Sequence, residues 1–369
     1  MATQFTPSND TARDGERRPK IPDIDDRLSR EIIIALVGPV GSGCSTTREL
    51  MAKELEDEFG YDTVHITLSD IIREHADEIS MPVPDDLSPT ERIDWFQTAG
   101  NTLRERFSAE YLVDRAIEKI AVERDQRQGY EENEGIRVIL PVKRAYFLDS
   151  LKNPAELKRL RQIYGDLLWV VSVFAPEEVR LDRLKRRGMA EADAMYAMKR
   201  DLEEEIKEGQ KVSKIAHQAS YFIRNSSNNR DGLKPSIRRF LHTIFGIQLH
   251  TPTRDEKGMM EAASAAVRSA CLSRQVGAAI YDKSGDLLGV GCNDVPKFGG
   301  GLYGEEGKDD NRCFRWEENE CHNDSRKKGL AQKIVSAVGV EGEAAAAVVE
   351  STMDGGVANL IEFSRSVHA

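Results

Sequence analysis

Cysteine is scarce in this chain, and long apolar runs are missing. Five cysteines scattered over 369 residues are an odd number, which excludes a fully paired disulfide frame and leaves thiols or metal ligands as their use. No uninterrupted apolar stretch is longer than Ile32 to Val37, which has the length of a strand and falls far short of the roughly 18 residues a membrane helix needs. No membrane partner is expected. No hydrophobic segment follows Met1, so no secretory signal is read and the expected compartment is the cytoplasm. Excess positive charge is also lacking. The 52 Lys and Arg against 63 Asp and Glu leave a net charge of -11, which argues against a surface that coats nucleic acid. A small anionic ligand would therefore need a local cradle.

What is present, 40% hydrophobic and 31% charged residues, belongs to globular proteins, and the length suits two domains that each bury a core. Residues 1–28 are rich in Pro, Asp and Arg and poor in apolar side chains, so a disordered tail is expected there. A first domain is expected over residues 29–248 and a second over 249–369.

The first domain opens with "EIIIALVG", a β-branched run of the kind buried on both faces of a parallel sheet. A glycine-rich turn follows, and then a helix with Met51, Leu55 and Phe59 four apart and Gly60 at its end. Further strands are expected at 62–68, 136–142, 145–150 and 167–175, and a last one over "SYFIRN" ending at Asn225. The stretch "FQTAGNTLRERFSAEYLVDRAIEKIAVERD" has one long helical pattern. Strands alternating with helices predict an α/β fold on a parallel sheet. The second domain reads as a small-residue helix, "MMEAASAAVRSAC", two strands around a Lys-Ser-Gly turn, a glycine-rich acidic loop and two further helices.

Between the first strand and helix lies "GPVGSGCS". Gly38, Gly41, Ser42, Gly43, Cys44, Ser45 and Thr46 have the spacing of a phosphate-binding loop, in which backbone N-H groups and a helix N-terminus face phosphate oxygens. The implied cofactor is a nucleoside triphosphate with Mg2+. Cys44 stands where such a loop carries Lys, so a point charge used in phosphoryl transfer is missing. The competing reading is a glycine turn that only packs helix on sheet.

Residues 147–188, from "FLDSLKN" to "RLDRLKRRG", resemble nucleoside and nucleotide kinases of the phosphate-loop class. The resemblance implies that Asp149 is the magnesium-side acid and that Arg183, Arg186 and Arg187 belong to a lid. Taken as residues alone, Asp149 could equally cap a helix, and the arginines could form a solvated helix face.

In the second domain "SACLSRQVGAAIYDKSGDLLGVGCNDVP" resembles the opening of the deoxycytidylate deaminase family. The resemblance implies that Arg274 and Asn293 bind the deoxycytidine nucleotide, Asn293 at the sugar hydroxyl; alone, Asn293 is a turn residue after a strand. With "GCNDVPKFGGGLY", "CHND", "EFSRSVHA" and the unusual phosphate loop, the chain looks like a two-domain bacterial group. That group joins a phosphate-loop kinase-like domain to a cytidine deaminase-like α/β domain and defends against phage by deaminating dCTP or dCMP. It implies Zn2+ held by His368 and two later thiolates, a Glu following Ala369 as general acid/base, a homo-oligomer, and a small RNA that restrains activity. On this reading 249–369 is the first part of the deaminase domain, the sequence is cut at His-Ala-Glu, and the chain as written is inactive as a deaminase. A second zinc on Cys271, Cys313, Cys321 and His322 is a further expectation; otherwise these are a buried helical Cys, two loop thiols and a loop His. The alternatives in other classes are a nucleotide kinase or ATPase with a C-terminal binding module, and a regulatory nucleotide-binding partner.

Overall fold

The computed structural model describes residues 30–354 apart from 128, 134–135, 141, 203–208, 228, 273, 307–309, 317–319 and 341. Two compact units divide after Leu249. Among the described residues, no helix is long and apolar enough to cross a membrane.

The first unit is an α/β layer fold. Its strands are β1 (Ile32–Val37), β2 (Asp62–Thr67), β3 (Tyr130–Asn133), β4 (Ile136–Ile139), β5 (Arg144–Asp149), β6 (Leu168–Phe174) and β7 (Tyr221–Arg224). Five of them form a parallel sheet in the order β2-β5-β1-β6-β7. β1 lies at its centre, with Ile33 paired to Tyr146 on one side and to Leu168 on the other. All six β1 side chains are buried, as the uninterrupted apolar run requires of a strand covered on both faces. From the carboxyl end of β1 the chain runs through α1 to β2 on one side of the sheet, and from the neighbouring β6 it runs to β7 on the other, so a crevice opens between them. The phosphate loop sits in that crevice.

The helices of this unit are α1 (Cys44–Phe59), α2 (Leu68–Glu74), α3 (Pro89–Arg106), α4 (Tyr111–Gln126), α5 (Pro154–Tyr164), α6 (Glu177–Arg186), α7 (Glu191–Leu202), α8 (Val212–Ala216) and α9 (Lys234–Phe245). They cover three apolar clusters, the smallest of them between α6 and α7 around Leu184 and Met198. Of the larger two, one buries Val64, Ile71, Leu103, Leu112 and Tyr146 with their neighbours; the other buries Met51, Leu55, Phe147, Ile237 and Phe240. Two expectations need correction. The run at 136–142 does not join the parallel sheet, because Ile136–Ile139 pairs antiparallel with Tyr130–Asn133. Only two residues separate those strands, and a parallel pairing needs a crossover of a dozen or more. The long helical pattern is also two helices, α3 and α4, which break at 107–110. The change of direction lets Leu112, Val113, Ala116 and Ile120 reach the same core as Leu103. Phe107 stacks on Tyr111 across the break, with centroids 4.5 Å apart.

The second unit begins with α10 (Arg254–Ala266), whose start is fixed by a capping box between Thr253 and Glu256. An antiparallel hairpin follows, β8 (Gly277–Tyr281) and β9 (Leu287–Cys292), and then α11 (His322–Ala337) and α12 (Gly342–Asp354). α10 rests on the hairpin so closely that a Cβ at Gly277 would lie 1.9 Å from the Ala262 carbonyl oxygen. The small-residue helix expected to reach Cys271 stops at Ala266, because the chain must turn back to enter β8. Cys271 therefore lies in the connecting loop and not on a helix.

Candidate nucleotide-binding site

The loop after β1 owes its shape to glycine. Gly41 and Gly43 have φ of 81° and 91°, which side-chain-bearing residues rarely adopt. A Cβ on Gly43 would fall 2.3 Å from Asn225 Nδ2, and one on Gly38 would fall 2.5 Å from Ser42 Oγ. The loop carbonyls are held from outside. Arg183 donates to the Gly41 oxygen at 3.0 Å and the Ser42 oxygen at 3.1 Å, and Asn225 Nδ2 donates to the Ser42 oxygen at 2.8 Å. A peptide N-H points opposite to its carbonyl, so pinning the Ser42 oxygen aims the Gly43 N-H toward the other side. α1 then begins at Cys44 with no side-chain cap and no acidic residue in its first turn, which leaves its N-terminal N-H groups and dipole facing the loop.

Ser45 and Thr46 occupy the second and third positions of α1. Ser45 Oγ donates to Asp149 Oδ2 at 3.3 Å, so the end of β5 meets the start of α1. Burial raises the Asp149 pKa, but the His65 imidazole, the Ser150 hydroxyl at 2.9 Å and Arg48 more than reverse it, leaving the carboxyl below its ordinary value. Asp149 does not cap a helix, because α5 is capped by Asn153 in a capping box with Glu156. A hydroxyl and an ionised carboxylate at this spot form the oxygen donor pair a hard cation such as Mg2+ prefers.

Cys44 turns under the loop. It is 7% exposed and packs with Met51, Leu55 and Phe147. Burial, reinforced by the Asp149 charge, pushes its thiol up to about 11, so it is a neutral apolar side chain at neutral pH. The loop and its surroundings line a cavity of about 430 Å³ that includes Val40, Ser45, Asp149, Lys152, Arg187 and Asp201, and on its far side Arg92, Phe96, Gln97 and Arg104.

The three arginines that the kinase resemblance places in a lid divide. Arg183 is not on a solvated face: it also donates to the Asn225 side-chain oxygen at 3.0 Å and the Ser227 carbonyl at 2.7 Å. Burial, and then Arg187 nearby, lower its pKa. Arg187 lines the cavity, whereas Arg186 pairs with Asp182 one turn away. Sequence reasoning missed Asn225, Lys152 and Asp201. Asn225 did carry a signal, since it follows a strand directly; Lys152 follows Asp149 by three residues, and nothing in the sequence joins Asp201 to the loop.

In the second unit, Cys271, Arg274, Asn293 and Cys321 line one cavity of about 640 Å³. The Asn293 side chain accepts from the Val276 N-H at 2.6 Å and the Ser269 hydroxyl at 3.1 Å, and donates to the Arg274 carbonyl at 2.9 Å. It therefore ties the loop before β8 to the end of β9. The second zinc site is corrected. Among the described residues no group of three or more His, Cys, Asp or Glu is placed to hold a metal. Cys313 accepts the His322 backbone N-H at 3.5 Å, and the His322 ring stands edge-on to Trp316 with centroids 4.7 Å apart. Those contacts hold the loop through backbone and ring, and Cys271 and Cys321 both line the cavity of about 640 Å³. His368 lies outside the described residues.

No protein-family model matches the chain, and no curated protein matches it. Among solved structures it is similar to shikimate kinase from Acinetobacter baumannii, with 14% identity, TM-score 0.35, and coverage of 59% of this chain and 96% of that one. It is also similar to shikimate kinase from Bacteroides thetaiotaomicron, with 13% identity, TM-score 0.31, and coverage of 58% and 98%. A gluconokinase from Sinorhizobium meliloti is similar at 14% identity, TM-score 0.29, and coverage of 60% and 99%. Likenesses of this size say nothing about the substrate of this chain.

Proposed function

We propose that the first unit is a phosphate-loop domain that binds a nucleoside polyphosphate with a divalent cation. The observation that carries this reading is the loop itself. Two glycines at positive φ shape it, the helix that follows has an uncapped N-terminus, and Val40 and Ser45 line a cavity together with Asp149. Backbone N-H groups and the α1 dipole would take phosphate oxygens. Ser45 and Asp149 would hold Mg2+, which supplies charge neutralisation when bound. Phe96, Gln97 and Arg92 on the far wall would meet whatever lies beyond the phosphates. Because Cys44 replaces the loop lysine, any phosphoryl transfer is expected to be slow. Calorimetry with ATP, GTP, dCTP and dTTP, with and without Mg2+, tests the reading; binding of none of them would end it.

A second reading concerns the other unit, as the first part of a deoxycytidine-nucleotide deaminase. The observation that favours it is the meeting of Arg274 and Asn293, the two residues the family resemblance implies, on one cavity with Cys271 and Cys321. The described residues do not fit a zinc ion, so no step is derived through one. A zinc-loaded protein that carries the general acid/base and thiolates the resemblance implies should convert dCTP or dCMP to the uracil nucleotide. Unchanged nucleotide would remove this reading and leave the first intact.

A further inference from the structure

With Cys44 buried and neutral, the loop has no cation of its own, yet a triphosphate held there needs one. Two candidates are already committed elsewhere. Arg183 is spent on loop carbonyls, and Arg104 is bonded to Glu156 at 2.7 Å. Lys152 is placed differently. Its backbone N-H is fixed by Glu156 Oε2 at 2.9 Å, and its ammonium reaches the Gly38 carbonyl at 3.2 Å and Asp201 Oδ1 at 2.7 Å. The other oxygen of Asp201 accepts the Val40 N-H of the loop at 2.7 Å. One carboxylate thus takes a loop N-H and an ammonium together, the same kind of donor pair a phosphate oxygen takes in such a loop.

Asp201 has no local reason to be there. It is 1% exposed and lies in the last turn of α7, where the helix dipole disfavours a carboxylate. The loop and Lys152 hold it. A second, independent observation points to an anion at the same place. Arg180 is 5% exposed, and its Nε and Nη1 have no hydrogen-bond partner. Its backbone approaches within 3.1 Å of where a Cβ on Gly41 would stand. Burial lowers its pKa, and the Asp201 charge does most to oppose the effect. A buried guanidinium with unpartnered N-H groups is costly unless an anion shares its site.

We propose that Lys152 supplies the phosphate-reaching ammonium that the loop lacks, and that the Asp201 carboxylate occupies its seat until the terminal phosphate of a nucleoside triphosphate displaces it. This rests on the nucleotide-binding reading of the first unit. Binding breaks the Asp201 contacts to Val40 and Lys152 and makes two contacts to phosphate oxygen, so the carboxylate acts as an internal competitor.

The test is a competition titration of the 369-residue chain with a fluorescent ATP analogue at fixed Mg2+, using ATP and inorganic pyrophosphate as competitors. Removing Lys152 alone would leave Asp201 buried without its partner, so Lys152→Ala/Asp201→Asn is compared with Asp201→Asn. Asp201→Asn should bind ATP several-fold more tightly than the parent. The double variant should bind roughly ten- to a hundredfold more weakly than Asp201→Asn, the range of one charge-assisted hydrogen bond. Adding Cys44→Lys to the double variant should recover most of that loss. Equal affinity of the double variant and Asp201→Asn would overturn the proposal while the nucleotide reading stands. So would a loss seen with ATP but not with pyrophosphate. Binding by Asp201→Asn but not by the parent would support it. Binding by neither would overturn the nucleotide reading, and this inference with it.

Discussion

Asn225 Nδ2 donates to the Ser42 carbonyl at 2.8 Å, joining the end of the last sheet strand to the middle of the phosphate loop. The same Asn225 accepts from Arg183 at 3.0 Å, so strand, loop and α6 close one buried polar network. Such a network is stable only when every member is satisfied. Asn225→Ala would leave the Ser42 carbonyl with Arg183 as its remaining donor, and Arg183 with the Asn225 and Ser227 carbonyls as acceptors. The expected cost is about 0.5–1.5 kcal/mol of stability, with weaker nucleotide binding as the loop loosens. Chemical unfolding of parent and variant measures the first effect, and calorimetry the second.

Gly43 is under a double constraint. Its φ of 91° disfavours any side chain, and an added Cβ would meet Asn225 Nδ2 at 2.3 Å. Gly43→Ala must therefore either strain the backbone or push Asn225 off Ser42. A loss of about 1–3 kcal/mol is expected from the backbone alone, together with loss of phosphate binding. Gly60 makes a useful control: its φ is also positive, at 67°, but nothing lies within 4 Å of its added Cβ. Gly60→Ala should therefore lower stability and leave binding unchanged.

The Cys44 thiol predicts a pH dependence. Its pKa rises from 9.0 to about 11 on burial, so the unfolded chain loses this proton first as pH increases. The stabilisation is fully present below pH 9 and is lost between 9 and about 11. That rise corresponds to roughly 2–3 kcal/mol. Other groups titrate in the same window, so the relevant quantity is a difference. Cys44→Ala should unfold with a smaller loss of stability between pH 8 and 11 than the parent, and Cys44 in the folded parent should resist alkylation at pH 8. Rapid labelling there would contradict the buried thiol.

The sequence disclosed the parallel sheet and the loop because both are local patterns. A β-branched run, glycines at fixed spacing and a periodic helix lie within 30 residues of one another. Asp149 was legible as an acid at a strand end, and the capping box at Asn153 shows why it is not a cap. What stayed hidden depends on distant chain segments. Asp201 meets Val40 across 161 positions and Arg183 meets Gly41 across 142, and no spacing rule connects them. The hairpin at 130–139 was misassigned because a short apolar run looks alike in either kind of sheet. The metal reading of Cys271, Cys313, Cys321 and His322 finds no such cluster among the described residues, because proximity in sequence does not set where side chains point. Here a backbone N-H meets Cys313 and an indole ring meets His322.

Arg104 and Glu156 form a buried ion pair, with side chains 3% and 0% exposed. Glu156 also accepts the Lys152 and Asn153 N-H groups at 2.9 and 3.0 Å, so the pair braces the turn that carries both Asp149 and Lys152. Removing one partner of a buried pair costs about 3–5 kcal/mol, whereas replacing both can be nearly neutral. Arg104→Met should therefore lower stability by about that amount. Arg104→Met/Glu156→Gln should recover much of it, because the amide oxygen still accepts from the turn. Denaturant midpoints of the two variants and the parent decide between this and a pair that only decorates the cavity wall.

Asn293 can be separated into a structural and a binding role. Its three side-chain hydrogen bonds all go to the loop before β8, and the same residue lines the cavity with Arg274. Hydrogen exchange at the Val276 amide reports the structural role directly, since that N-H is given to Asn293 Oδ1 at 2.6 Å. Asn293→Ala should speed exchange over residues 269–276. Asn293→Asp keeps the acceptor for Val276 but turns a carboxylate oxygen toward the Arg274 carbonyl, so Val276 should stay protected while the Arg274 link opens. If Asn293 served a ligand alone, neither variant would change exchange in the ligand-free chain. If it holds the loop, Asn293→Ala alters exchange without any ligand, and whatever nucleotide affinity is lost with it passes through the position of Arg274.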